Sequence, residues 1–582
     1  TRMGAKLMEK GASDYHSLAN ATTLEALWAN LNSGVLSMAD MFLLGFSMLD
    51  LAATPFERTG ADLLERLDVN GFVYSRGYSN ETVAKLQNYI LMVIWSIQSD
   101  VTAAASYQDF IKHTILFPHA TPFSWLLKGN LYEKIIEPLE RKLVELGCEI
   151  RKGVAVTSVS LSGDAPTLTL ATAAAGRRKA SAAQAPKTDY VVVATPALVL
   201  ADLAMAGAPG GRIVDKVPDL SEVRRFSGEA IPVVDLYLTK KLADVPAEQV
   251  GLAGSDCDLS ILDLSQLWTD DPNVKGRTVL VVAASNRYAL TSEEPLDQGH
   301  QIIRRLHEYL PGFNPGARWG DPDSDIDWTK THFRDNTSNL LFVNDVGSWQ
   351  WRPVASYPAL PNVFFAGDFC QTDVDMATME AAMQSGLLAA QAVQVRDAQQ
   401  TGSMRGDPIT LVKHEVYSDA SLLAAKLLML PLAYAASAWS AAFDDKPPKT
   451  GPAAANSYAP STYSILLPLA FTLDWWKTAY WLARKSLPGG DGEAAGGAME
   501  TDISPADFLV SLATRASGAA SEFVHHLASP AASDPKTATP SVPAALATLA
   551  AQAWKTAQAA YVTARPGATD GEPHRRRWRA KT

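Results

Sequence analysis

Only three cysteines occur in 582 residues, Cys148, Cys257 and Cys370, and no pair of them has C-x-x-C spacing. That excludes a thiolate zinc site, argues against a disulfide scaffold and suits a reducing, cytoplasmic setting. Charge is also sparse. Charged residues make up 19% of the chain and the net charge is −11, which argues against general nucleic-acid binding. Neither an H-E-x-x-H helix nor a His/Cys metal cluster is legible, so no metal site is expected, and no Ser–His–Asp signature is present. A G-x-G-x-x-G turn after an apolar strand is missing too. The nearest glycine cluster, Gly207-Ala208-Pro209-Gly210-Gly211, holds a proline and has no strand entering it, so it reads as a loop. The apolar part of Asn80–Gln98 is too short to cross a bilayer.

What the chain does have is apolar bulk. A hydrophobic content of 47% fits a globular protein, and the length suggests two to four domains. Its most informative stretch is Asn362–Val393. An apolar run, Val363-Phe364-Phe365-Ala366, ends on Gly367-Asp368. Thr378-Met379-Glu380 then opens an Ala-rich helix containing Ser385 and Gly386. A buried strand thus delivers a Gly-Asp to its tip, and a helix N-terminus follows. Glycine lets a ligand approach the backbone, and a helix start offers N–H groups and partial positive charge to an electron-rich group.

This pattern resembles the C-terminal flavin-binding signature of the amine oxidase and phytoene desaturase superfamily, where A-G-D precedes T-M-E-G-A. The resemblance implies FAD as cofactor. Gly367 and Asp368 would face the ribityl or ribose hydroxyls, and the N–H groups of Met379, Glu380, Ala381 and Ala382 the pyrimidine oxygen. One departure is Ala381, which stands where the family has glycine. Two further blocks agree in order. Gly129–Val159 resembles the middle of the family's FAD domain and implies Val156 as the valine whose backbone meets the adenine. Asp189–Thr195 followed by Pro196 resembles its return strand. The family's glycine fingerprint for the FAD pyrophosphate should come first and is absent, and the chain opens on Thr1. A truncated chain or a start site assigned downstream is expected.

The implied fold class is α/β: an FAD/NAD(P)-binding, glutathione-reductase-like domain lacking its first βαβ unit, plus an antiparallel-sheet substrate domain and a helical region. The expected divisions are a helical substrate or membrane-side region (1–125), the middle of the FAD domain (126–220), the antiparallel substrate domain (221–346), the C-terminal FAD-binding segment (347–397) and an Ala/Pro-rich extension (398–582). Helices are expected at Thr22–Asn30, Ser37–Leu51, Leu139–Leu146 and Gln298–Leu310. Strands are expected at Cys148–Arg151, Val154–Leu161, Ile231–Thr239, Arg277–Ser285 and Asn339–Asn344, with a hairpin tip at Ala171–Lys187. In the extension, Lys446–Pro460, Leu487–Ser504 and Ala528–Ala545 read as linkers. Ser421–Phe443 is interrupted by a helix-breaking Pro431. Ile465–Leu487, rich in Trp with basic residues, fits a helix lying on a membrane surface. The basic end, Arg575–Lys581, could touch anionic lipid.

Flavin dehydrogenation needs no catalytic triad, because the cofactor itself accepts the hydride. Residues Leu126–Leu161, Ala194–Pro196 and Ile231–Leu238 look most similar to plant- and cyanobacterial-type carotenoid desaturases and squalene-associated desaturases. That resemblance implies a long isoprenoid substrate drawn from a membrane surface. An amine oxidase acting on a soluble amine and a non-catalytic flavoprotein-like remnant remain open. Trp349 and Trp351 read as interdomain packing or flavin-flanking aromatics. Asp373 and Asp375 read as helix-start or solvated-loop acids, and Cys370 as a small buried filler near the cofactor.

Overall fold

In the computed structural model the described residues are 2–3, 5–12, 14–18, 24–56, 63–74, 91, 96–114, 124–161, 165–172, 182–184, 188–338, 340–412, 416–439 and 471–483. Two strands, β1 (Ala5–Glu9) and β2 (His16–Leu18), come first. Helices α1 (Met38–Ala52) and α2 (Ala104–Thr114) follow. Next are α3 (Glu137–Glu145), β3 (Val154–Ser160), β4 (Thr167–Thr172), β5 (Ala182–Gln184), β6 (Val191–Val193) and α4 (Ala197–Met205). Strands β7 (Val233–Tyr237), β8 (Gln249–Ala253), β9 (Leu259–Asp263) and β10 (Val279–Ala284) lead to α5 (Pro295–His307) and β11 (His332–Arg334). The chain then passes through β12 (Val363–Phe365), α6 (Met379–Thr401) and α7 (Asp419–Trp439).

The largest sheet has seven strands in the order β11-β7-β10-β9-β8-β1-β2. Its expected antiparallel character holds everywhere except at β1, which pairs parallel to β8. The sheet also reaches beyond 221–346 by taking in two N-terminal strands. These were not legible because β1 does not alternate. Leu7 packs into the helical core and Met8 into the sheet core, so neighbouring apolar residues are buried on opposite faces. The other face of β7 and β10 rests on Ile302, Ile303 and Leu306 of α5.

The helical core gathers Leu51, Leu64, Phe72, Leu91, Tyr107 and Ile111 with Leu422, Leu423 and Leu482. Helix α7 therefore packs on the body instead of lying apart. It continues past Pro431, against the expected break. An interior proline costs about 3 kcal/mol, and burial of Leu422, Leu423 and Leu430 offsets it. Lys426 of α7 is buried and pairs with Asp50 of α1 at 2.7 Å, with Asp474 at 3.7 Å. Among the described residues, α7 alone is long and apolar enough to cross a membrane, and half of that span is buried. Residues 471–483 form a helix whose Ala479, Leu482 and Ala483 face inward while Leu473, Trp476 and Tyr480 are exposed.

Beside the large sheet lie a parallel pair, β6–β12, and a three-stranded antiparallel sheet, β3-β4-β5. Cys148–Arg151 is irregular and not a strand: the chain leaves α3 through Gly147, at φ 86°, and pairs with no strand among the described residues. Helix α3 buries none of its residues, and Leu139, Leu143 and Val144 stand exposed. Asn339, most of Asn80–Gln98 and Ala171–Lys187, and the two ends of Ile465–Leu487 (465–470 and 484–487) lie outside the described residues. The three linker segments and the basic tail do so entirely.

Asp258, in the tight turn between β8 and β9, holds φ at 48°. Burial, with Asp256 adding to it, pushes its carboxyl up to about 7. A raised folded-state value means that the native chain keeps a proton the unfolded chain has lost. Stability should therefore fall as pH rises from the ordinary carboxylate range toward 7. Asn tolerates the left-handed conformation. Thermal melts of Asp258→Asn should accordingly lose less stability between pH 5 and pH 8 than those of the parent. Parallel profiles would show that this carboxyl titrates normally.

Candidate functional site

Strands β6 and β12 run parallel in register, Val191 beside Val363 and Val193 beside Phe365. Their C-terminal ends open side by side, and Ala366 donates its N–H to the Val193 carbonyl at 3.0 Å. Ligands of open parallel sheets bind at such ends. Here β12 is buried along its length, because Phe364 packs toward α6 while Phe365 enters the core with Val191, Leu200 and Phe369. That burial fixes the direction in which Gly367 leaves the strand.

Gly367 sits at φ 154°, and a Cβ there would collide with the Phe369 ring, so only glycine fits. Its N–H donates to Ser385 Oγ at 2.8 Å, and Ser385 in turn donates to the Ala382 carbonyl at 2.7 Å. Ser385 thus ties the strand tip to α6, a role beyond the close helix packing its small size suggests. Gly386 does not pack closely: a methyl added there would meet nothing within 4 Å. Asp368 follows, and burial raises its carboxyl while its own backbone N–H and the charge of Arg352 oppose the rise.

Thr378 caps α6. Its Oγ1 accepts from Ala381 N at 3.1 Å, and its carbonyl accepts from Ala382 N at 3.1 Å. This alters the expectation for the helix start: the Ala381 and Ala382 N–H groups are turned to the cap. Met379, exposed at the first position, offers its N–H ahead of those bonds. The Ala381 methyl, in place of the family's glycine, is fully buried. Val156 lies on β3, partly exposed beside a bulge, and shares no sheet with Gly367.

Asp375 departs from the reading as a helix-start or solvated-loop acid. It is 1% exposed and meets the Arg352 guanidinium at 2.6 Å, a close ion contact outside hydrogen-bond alignment. Ser106 Oγ of α2 donates to Asp375 Oδ2 at 3.2 Å, and the Asp375 N–H donates to Asp109 Oδ2 at 3.0 Å. Arg352 Nη2 donates to Asn344 at 2.7 Å. Its guanidinium lies over the Phe342 and Trp349 rings at 5.3 and 5.5 Å. Trp351 packs against Phe226 under Arg225. Both tryptophans therefore serve packing. Burial pushes the Cys370 thiol up to about 12, which keeps it inert. The Arg352 partnership had no sequence signal, since Ser106 and Asp109 lie over two hundred residues from Arg352 and Asp375.

These features fit the ring and ribityl end of a flavin. Thr195 Oγ1, just past β6, is a buried hydroxyl with no partner among the described residues. Gly367 leaves a side-chain-free approach, and α6 presents its N-terminus. The sequence contains no G-x-G-x-x-G. A glycine strand tip beside a helix start suits an electron-rich ligand such as a flavin. Residues 106–394 match the family described as flavin containing amine oxidoreductase. The match covers just under half of the chain, and the cofactor it supports is FAD.

Solved structures with some likeness include putrescine oxidase bound to putrescine, at 13% identity and TM-score 0.43 over 68% of this chain and 81% of that one. An oxidoreductase from Methanosarcina mazei shows 12% identity and TM-score 0.42 over 68% and 81%. OxyS anhydrotetracycline hydroxylase from Streptomyces rimosus shows 14% identity and TM-score 0.25 over 77% and 73%. Superpositions this loose carry no inference about the site. No curated protein sequence matches the chain.

Losing a charge-assisted hydrogen bond costs about 1.5–3 kcal/mol, or roughly tenfold to a hundredfold in affinity. Asp368→Ala should weaken FAD binding by that factor in a fluorescence titration and leave the far-UV circular dichroism of the parent. An unchanged dissociation constant would remove Asp368 from the site.

Proposed function

We propose that this protein is an FAD-dependent dehydrogenase of a long isoprenoid, such as a carotenoid precursor, taken from a membrane surface. The observation that carries the proposal is the joining of the flavin loop to an apolar helical region. Asp375 in that loop is bonded to Ser106 and Asp109 of α2, and α2 packs within the core of Leu51, Phe72, Leu91 and Leu422. A site roofed by such helices suits a hydrocarbon and excludes water.

When bound, FAD supplies the two-electron acceptor: the substrate gives up a hydride and a proton, and a carbon–carbon double bond remains. The chain's own residues bind, orient and shield. Gly367, held by Ser385, keeps the strand tip open to the ring. The α6 N-terminus supplies partial positive charge where electron density gathers on reduction.

The membrane part of the proposal rests on two helices of the extension. Leu428, Leu432 and Trp439 share one exposed face of α7, and Leu473, Trp476 and Tyr480 share one on residues 471–483. Because both helices also bury residues in the core, removal of 401–582 would strip that core. Surface substitutions are therefore the cleaner probe.

The test is anaerobic bleaching of the bound flavin's visible absorbance. A polyene precursor embedded in liposomes is expected to bleach it, more slowly in a Leu432→Ser/Trp476→Ser variant, while a soluble diamine does not. Bleaching by the diamine alone would establish the amine oxidase reading, which the family's name favours. Failure to take up FAD would leave the non-catalytic one.

A further inference from the structure

We propose that Arg352 is a positioning residue for the cofactor: by clamping Asp375 it holds the two ends of the 367–378 loop in register for FAD. The proposal rests on the assignment of FAD as the cofactor and adds the device that shapes its site.

The loop has cofactor-contacting candidates at both ends, Gly367-Asp368 at one and the Thr378-capped start of α6 at the other. Between them runs no helix or strand. Its backbone is tethered near the start, where the Gln371 N–H donates to the Pro353 carbonyl at 3.0 Å. Thr372 then folds the loop on itself, accepting from Val374 N at 3.2 Å and donating to the Val374 carbonyl at 2.8 Å. Asp375 fixes the middle to the rest of the protein. It is gripped from the 344–352 segment by Arg352 and from α2 by Ser106 and Asp109.

The grip is costly by design. A guanidinium 0% exposed and a carboxylate 1% exposed have both left water, and a pair of apolar side chains would pack as stably there. The pairing is also incomplete. Nε and Nη1 of Arg352 are buried without a hydrogen-bond partner among the described residues. Stability alone would not select such an arrangement. Directional placement would, because the planar guanidinium lies over the Phe342 and Trp349 rings and donates to Asn344 while it meets Asp375. The same charge is felt at Asp368 and Cys370, so Arg352 also sets the local field at the strand tip.

The test compares the parent with Arg352→Met/Asp375→Leu, which removes both charges together and so leaves no buried orphan ion. FAD affinity by fluorescence titration, the flavin's midpoint potential and the thermal melt are read on each. The expected result is a melt near the parent's, a tenfold or greater loss of FAD affinity and a shifted potential. A variant that melts like the parent and binds FAD with the parent's affinity and potential overturns the proposal. If the double variant does not fold, Arg352→Lys decides. It keeps the charge but loses the planar fork, so weakened FAD binding is expected, and affinity equal to the parent's overturns the proposal. A parent that takes up no FAD overturns the cofactor assignment, and this inference with it.

Discussion

One buried ion pair connects the three parts of this molecule that matter for its chemistry. Arg352 belongs to the segment leading out of the large sheet, Asp375 to the loop between β12 and α6, and the Ser106 and Asp109 partners to helix α2. Removing one partner from such a pair typically costs about 3–5 kcal/mol, because the remaining charge is stranded. That is a large share of the roughly 5–15 kcal/mol that holds a domain together. The backbone around it is pinned in the same place. Ala103 N donates to the Asn344 carbonyl, Val346 N to that of Val101, and Gly347 N to that of Glu65. The helical region and the flavin loop therefore share one rigid junction, and a change at either is felt at the other.

Around that junction the chemistry is simple. The strand tip presents a glycine that no other residue can replace, with Ser385 fixing its amide. The helix start presents partial positive charge, and Thr378 uses part of it. The cap reduces the number of donors facing a ligand, which puts more weight on Met379 and on the electrostatics of the helix end than on a row of hydrogen bonds. The large sheet with α5 forms a separate core, and it meets the helical region at the bond between Ser96 Oγ and Ser285 Oγ of 2.8 Å.

How much of this could be read from the sequence depended on how local each feature is. Residues 363–401 were legible because strand, Gly-Asp, N-cap and helix follow one another along the chain, and each carries its own signal. Strands β7 and β10 were legible because apolar residues alternate or run together. Strand β1 was not, since Leu7 and Met8 bury in different cores and its partner β8 lies over two hundred residues away. Pro431 misled because tertiary packing of α7 on α1 outweighs one lost backbone bond. Asp375 misled for a similar reason. A short acid in a polar-looking loop reads as solvated, and only folding brings Arg352, Ser106 and Asp109 around it. Lys426 and Asp50 likewise form a buried pair that no local pattern signals, because the two lie far apart in the chain.

If the loop from Gly367 to the first turn of α6 holds the cofactor, binding must protect the amides of that loop. Hydrogen exchange measured with and without FAD tests it most directly. Added FAD should slow exchange at the amides of residues 367–369 and 378–380, with a smaller effect on α2 transmitted through Asp375. Protection confined to other segments, with the 367–380 amides unchanged, would contradict the claim.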